Sequence, residues 1–148
     1  MDKFQELLWD LGELIELPLH IDSNRACNLL LDESLEMQLQ MDERDENVLV
    51  CAFLADVPPG RFRENVMKDA LKVNSDYHPF GTLAFIEKKN LLILQQYLPV
   101  ETLNGEKLLA HLETFLEEAV EWKKAISSGA TAPIKYHSVQ GTPPPFMK

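Results

Sequence analysis

The hydrophobic positions of this chain change period several times, and each change marks an element. Phe4, Leu7, Leu8, Leu11, Leu14 and Ile15 recur at the i, i+3, i+4, i+7 spacing of an amphipathic helix whose opposite face carries Glu6, Asp10, Glu13 and Glu16. Asp2 is placed to cap this helix and Pro18 to end it. Trp9 falls about 140° from Phe4 on a helical wheel, off the apolar stripe, as a rim residue or part of a partner-facing patch would. The period then shortens to two. Ala26–Leu31 reads as a strand, Asp32-Glu33-Ser34 as a turn, and Leu35–Met41 alternates strictly, with Leu35, Met37, Leu39 and Met41 on one face and Glu36, Gln38 and Gln40 on the other. After the acidic loop 42–46, residues 48–55 are apolar on both faces, the pattern of a strand covered on each side.

Pro58-Pro59-Gly60 closes that segment, and the helical period returns over 61–73 with a broad apolar face of Phe62, Val66, Met67, Ala70, Leu71 and Val73. A short helix apolar over so wide an arc is expected to lie between two surfaces. Thr82–Ile86 and 91–98 form a hairpin around Glu87-Lys88-Lys89-Asn90. In the last helix, 108–126, the apolar residues Leu108, Leu112, Phe115, Ala119, Trp122 and Ile126 step alternately by four and three. Asn104 is placed to cap it, Glu106 suits the positive end of its dipole, and Lys123 and Lys124 suit the negative end. The order helix, three strands, helix, two strands, helix predicts an α+β domain over residues 1–127, built around a twisted antiparallel five-stranded sheet. Residues 128–148 read as a flexible Pro-rich tail with a polyproline-II tip at Pro143-Pro144-Pro145-Phe146.

A length of 148 residues supports one domain, and the charge within it is uneven. Residues 1–56 carry 14 acidic and 3 basic side chains, whereas 57–148 carry 10 acidic and 11 basic. Nucleic acid and anionic membrane would be repelled by the first region, and neither is expected as a partner. The residues from Met1 to Glu6 lack the basic and apolar regions of a signal peptide, and no apolar run approaches about 18 residues. Cys27 and Cys51 both lie in apolar runs, 24 residues apart, which fits neither a disulfide framework nor a zinc pattern. A soluble cytoplasmic protein with reduced thiols is expected.

No catalytic constellation stands out. His20, His78, His111 and His137 are scattered, and the phosphate-binding, dinucleotide, nucleophile-elbow and zinc-protease motifs are missing. The acidic run Asp42-Glu43-Arg44-Asp45-Glu46 lacks the glycine and spaced glutamate of a calcium loop and reads as a solvated hairpin loop. Cys51 has no electropositive sequence neighbour and reads as an inert core thiol. Neither enzymatic activity, nor a metal, nor a cofactor is expected. Apolar residues exceed what one core needs, at Trp9, Leu17, the Met37/Met41 face, the strand over 48–55 and the 61–73 helix, and they either form a protein-binding surface or fill a sheet sandwiched by helices.

The element order, the acidic amino-terminal helix, the segment Phe80-Gly81-Thr82-Leu83-Ala84-Phe85 and the 108–126 helix together resemble the Tir-chaperone (CesT-like) family, the class I type III secretion chaperones of Gram-negative bacteria. The resemblance covers about residues 2–127. It implies a cytosolic homodimer that needs no cofactor and holds the amino-terminal chaperone-binding segment of a secreted effector in extended form. It also implies a two-fold interface on the second helix and fourth strand, through Val66, Met67, Ala70, Leu83 and Phe85. The effector surface would lie on the first helix and first three strands, through Trp9, Leu29, Leu31, Leu35, Met37, Leu39 and Met41. The tail, which the shared domain does not require, either is disordered or meets the client, secretion-apparatus components or a neighbouring dimer. The alternative is a small regulatory or scaffold domain of the same fold that binds a folded partner.

Overall fold

In the computed structural model, residues 2–31, 34–76 and 80–137 are described. Helix α1 (Lys3–Ile15) leads into strands β1 (Ala26–Leu31), β2 (Leu35–Met41) and β3 (Asn47–Asp56). Helix α2 (Arg61–Ser75), strands β4 (Thr82–Ile86) and β5 (Leu91–Pro99), helix α3 (Gly105–Ser127) and the short α4 (Ile134–His137) follow. The strands form one antiparallel sheet in the order β1-β2-β3-β5-β4. Of the predicted turn, Asp32 and Glu33 lie outside the described residues, as does 138–148 of the predicted tail.

The helix ends form where side chains can satisfy orphan backbone groups. The Asp2 carboxylate accepts from the Gln5 amide at 2.8 Å while the Gln5 side chain accepts from the Asp2 amide at 2.9 Å, a reciprocal box that starts α1. Asn104 Oδ1 accepts from the Lys107 amide at 2.8 Å and starts α3. Gly105 permits close contact between these two helices, because a Cβ there would stand 2.7 Å from Cβ of Asp10.

Strand register fixes which side chains share a face, since residues directly opposite one another point the same way. Leu29 opposes Met37 and Leu39 opposes Val50; Met37 opposes Ala52, which in turn opposes Leu94. Together with Leu7, Leu11, Leu108, Phe115 and Trp122 from α1 and α3, these residues build one continuous core. Val66, Ala70 and Val73 bring α2 onto the same core, and Arg63 stacks over the Phe85 ring of β4 with its guanidinium carbon 4.1 Å from the centroid. The opposite face carries Leu30 and Tyr97, both exposed, with Leu49 and Phe53 half-buried. The expectation that β3 is covered on both sides is therefore corrected: the helices described above build their core on one face, and on the other face of β3 only Cys51 is enclosed.

The expected domain end at residue 127 also moves. Gly129 adopts a positive φ of 92°, and beyond it the chain returns along α3, burying Ala132 and Pro133 before α4. A glycine supplies that reversal without the strain a Cβ would add. The segment 128–137 thus belongs to the folded unit.

Candidate functional site

The connection from α1 to β1 makes a groove. Glu16 ends α1 in the left-handed region at φ 57°, and the Leu17 amide donates to the Gly12 carbonyl at 3.1 Å. Gly12 is required for this tight return, since a Cβ on it would come within 2.8 Å of the Leu17 carbonyl oxygen. Leu17, Pro18, Leu19 and His20 consequently run beside Leu8 and Trp9, lining adjoining hollows of about 500 and 650 Å³. Trp9 is 63% exposed and Leu17 48%. Glu13 and Glu16 supply an acidic wall.

The groove ends where β1 begins, at the outer edge of the sheet. Asp22 pairs with Ala26 there: its amide donates to the Ala26 carbonyl at 2.8 Å, and its carboxylate accepts from the Ala26 amide at 3.0 Å. Alternation then points the backbone groups of Asn28 and Leu30 outward, where they meet no partner among the described residues. An apolar groove and, past the Asp22–Ala26 closure, an unpaired stretch of strand edge thus follow one another along the chain, an arrangement suited to an extended peptide that pairs through its backbone and seats alternate side chains.

The structure separates the seven side chains expected to face an effector. Trp9 is in the groove, and Leu29 and Leu31 are half-buried along β1. Leu35, Met37, Leu39 and Met41 are buried in the core, and none of them lines the groove. The correction has a simple cause: strict alternation shows that one face of β2 is buried, and that face is the apolar one, beneath the helices, leaving Glu36, Gln38 and Gln40 outward. Leu19, His20, Ile21 and Leu30 are the groove and edge residues that the sequence reading misses, because they sit in a connection or on the outward phase of a short strand; Leu17, already noted as excess apolar surface, joins them in the groove. The Pro18 stop and the apolar residues flanking it were the available signal.

The five expected dimer residues divide similarly. Val66, Ala70 and Leu83 are buried within the protomer, whereas Met67 is exposed and Phe85 is half-buried. The first three are thus core positions, because a helix with a wide apolar arc uses its centre internally. What remains outward on α2 is the flank of Met67 and Leu71, the latter 66% exposed. That flank adjoins β4, whose edge is closed at Leu83: the Asn74 side-chain amide donates to the Leu83 carbonyl at 2.8 Å and accepts from its amide at 2.9 Å. Asn74 occupies the place a neighbouring strand would take.

The thiols show no activation. Burial pushes Cys51 up to about 11, and burial also raises Cys27, offset in part by the His20 backbone and reinforced by Asp22. Both are protonated at neutral pH. Among the described residues no group of three or more His, Cys, Asp and Glu could hold a metal ion, and no helix is long and apolar enough to cross a membrane.

Known proteins share this architecture. A chain in the HopA1-SchA chaperone-effector complex is 26% identical, with a TM-score of 0.67 and coverage of 83% of this chain and 94% of that one. A chain in the ExsC-ExsE complex is 24% identical, with a TM-score of 0.71 and coverage of 84% and 96%. One in the ExoT-SpcS complex from Pseudomonas aeruginosa is 16% identical, with a TM-score of 0.61 and coverage of 80% and 96%. The last two likenesses concern the fold alone. Comparison with curated protein sequences gives no match. The model of the Tir chaperone protein (CesT) family matches residues 6–123, from the first turns of α1 through nearly all of α3. The chain belongs to the Tir chaperone protein (CesT) family.

Proposed function

We propose that this protein is a cytoplasmic type III secretion chaperone that binds the amino-terminal chaperone-binding segment of secreted effectors in extended form and keeps them stable and secretion-competent. The observations that carry this reading are the Trp9 groove and the unpaired Asn28 and Leu30 on the edge strand β1. A Trp side chain carries up to about 250 Å² of surface, so covering the exposed 63% of Trp9 contributes about 4 kcal/mol, which offsets part of the entropy of ordering a disordered client. Unpaired backbone groups at Asn28 and Leu30 add main-chain hydrogen bonds that are indifferent to client sequence. Glu13 and Glu16 favour clients with basic residues beside the apolar anchor.

The chaperone works as a homodimer through the flank of α2 carrying Met67 and Leu71 together with the Phe85 region of β4. Two grooves on one dimer then engage two stretches of a single client. No cofactor and no catalysis enter this function. Purification of the protein from the cell that makes it tests this: a secreted protein should co-purify, its first hundred or so residues protected from protease and without folded structure. A partner that binds only as a folded domain would overturn the reading in favour of a scaffold role.

A further inference from the structure

The segment 128–137 lies beyond the part of the chain that the family model matches, yet it is built into the protein. Its anchor is Glu118 on α3, whose side chain is 2% exposed. The Glu118 carboxylate accepts from Trp122 Nε1 at 3.0 Å, from Lys135 Nζ at 2.5 Å and from the Tyr136 hydroxyl. Lys135 also reaches Glu121 at 2.8 Å, and the Tyr136 ring packs on Trp122 with centroids 5.8 Å apart. A carboxylate is enclosed this thoroughly only when its charge and lone pairs are matched, and the Lys135 and Tyr136 donors come from the returning segment. The same segment reaches α2, where the Thr131 hydroxyl donates to Asp69, and the approach to β4, where Lys135 Nζ lies 5.6 Å from the Phe80 ring centroid.

We infer that residues 128–137 are a clasp, locked by Glu118, that braces α2 against α3 and so fixes the pose of the Met67/Leu71 flank used in pairing. The bracing half of this inference rests on the proposed dimer; the clasp itself does not. The clasp reaches α2 through Asp69, on the side of the helix away from Met67 and Leu71, so it supports the interface from behind without contacting the second copy.

Glu118→Gln, Tyr136→Phe and Gly129→Ala in the full chain, studied by hydrogen exchange and by dimer dissociation, test both halves. Glu118→Gln keeps the shape of the anchor and removes its charge; Tyr136→Phe removes one donor; Gly129→Ala strains the reversal without touching the anchor. Amide exchange over 130–136 should accelerate by about tenfold or more in Glu118→Gln and Tyr136→Phe, the change expected from one lost charge-assisted hydrogen bond, and should also accelerate in Gly129→Ala through strain at a positive φ, with the sheet amides unchanged in all three. The dimer dissociation constant should rise in parallel. Unchanged exchange over 130–136 overturns the clasp. Accelerated exchange with an unchanged dimer overturns the bracing role, and a wild-type chain that is monomeric throughout overturns the dimer while the exchange data still decide the clasp.

Discussion

The two edges of the sheet are finished to different extents. At β4 the Asn74 amide fills both backbone positions of Leu83, and α2 lies alongside. At β1 only the first position is closed, by Asp22, and Asn28 and Leu30 remain open farther along the strand. Natural sheets usually blunt their edges against unwanted pairing. The β4 edge is capped at Leu83 beside α2, which leaves Phe85 as its remaining outward position, whereas β1 keeps two outward positions, and the longer open stretch is the better place for an incoming strand.

The largest expected effect lies between apolar residues that look alike in sequence. Met37→Asp should abolish folding, at a cost of at least about 4 kcal/mol for a charge forced into the core, whereas Trp9→Asp should leave thermal unfolding within about 0.5 kcal/mol of wild type. Calorimetry of the pair checks the assignment of core against surface. Next, Asn74→Ala should cost about 2–3 kcal/mol in urea unfolding, since two hydrogen bonds go and the Leu83 groups lose their partner. The same variant opens the second edge and should raise the tendency to self-associate into larger species by light scattering.

Trp9→Ala should weaken client binding by about 1.5–3 kcal/mol in titration calorimetry, as loss of a central aromatic anchor does, with folding intact. Leu30→Pro removes an outward amide at the open edge and should cost about 1 kcal/mol of affinity while the equivalent loss of side chain alone, Leu30→Ala, costs less. Equal losses from the two variants would mean that the edge is read by its side chain alone. The smallest effect concerns the loop between β2 and β3. Desolvation raises the Asp42 carboxyl, but hydrogen bonds from the Glu46 amide, the Asn47 amide and side chain, and the Arg44 backbone outweigh it and hold it below its ordinary value. A group with a lowered folded pKa stabilises above its unfolded pKa of about 3.9 and loses that contribution as pH falls through the folded one, so Asp42→Asn should flatten the acid limb of stability slightly.

Most of the architecture is legible in the periodicity, because strands and helices with one buried face must repeat at 2 or 3.6 residues. The strands Ala26–Leu31, Leu35–Met41 and Thr82–Ile86, and the caps at Asp2 and Asn104, follow directly from it. The site is less legible for the same reason. Periodicity marks what is buried, so the strongest alternating face, Met37 with Leu39, belongs to the core, and the groove is assembled from Leu17, Leu19 and His20 in a connection with no period at all. Trp9 is the exception, readable because it departs from its own helix's stripe. The clasp is illegible too: a Gly, Ser and Thr-rich stretch reads as a tail, and nothing in the sequence pairs Lys135 and Tyr136 with a glutamate 17 and 18 residues earlier.

The central claim is that an extended client lies in the α1 groove and along β1. The most direct measurement is site-specific photo-crosslinking in the cell that makes the protein, with the photoreactive residue at position 9, 30 or 71. Positions 9 and 30 should attach to one stretch of the amino-terminal region of a secreted protein, while position 71 should attach to a second copy of this chain. Client adducts at position 71 with none at 9 or 30 would contradict the account.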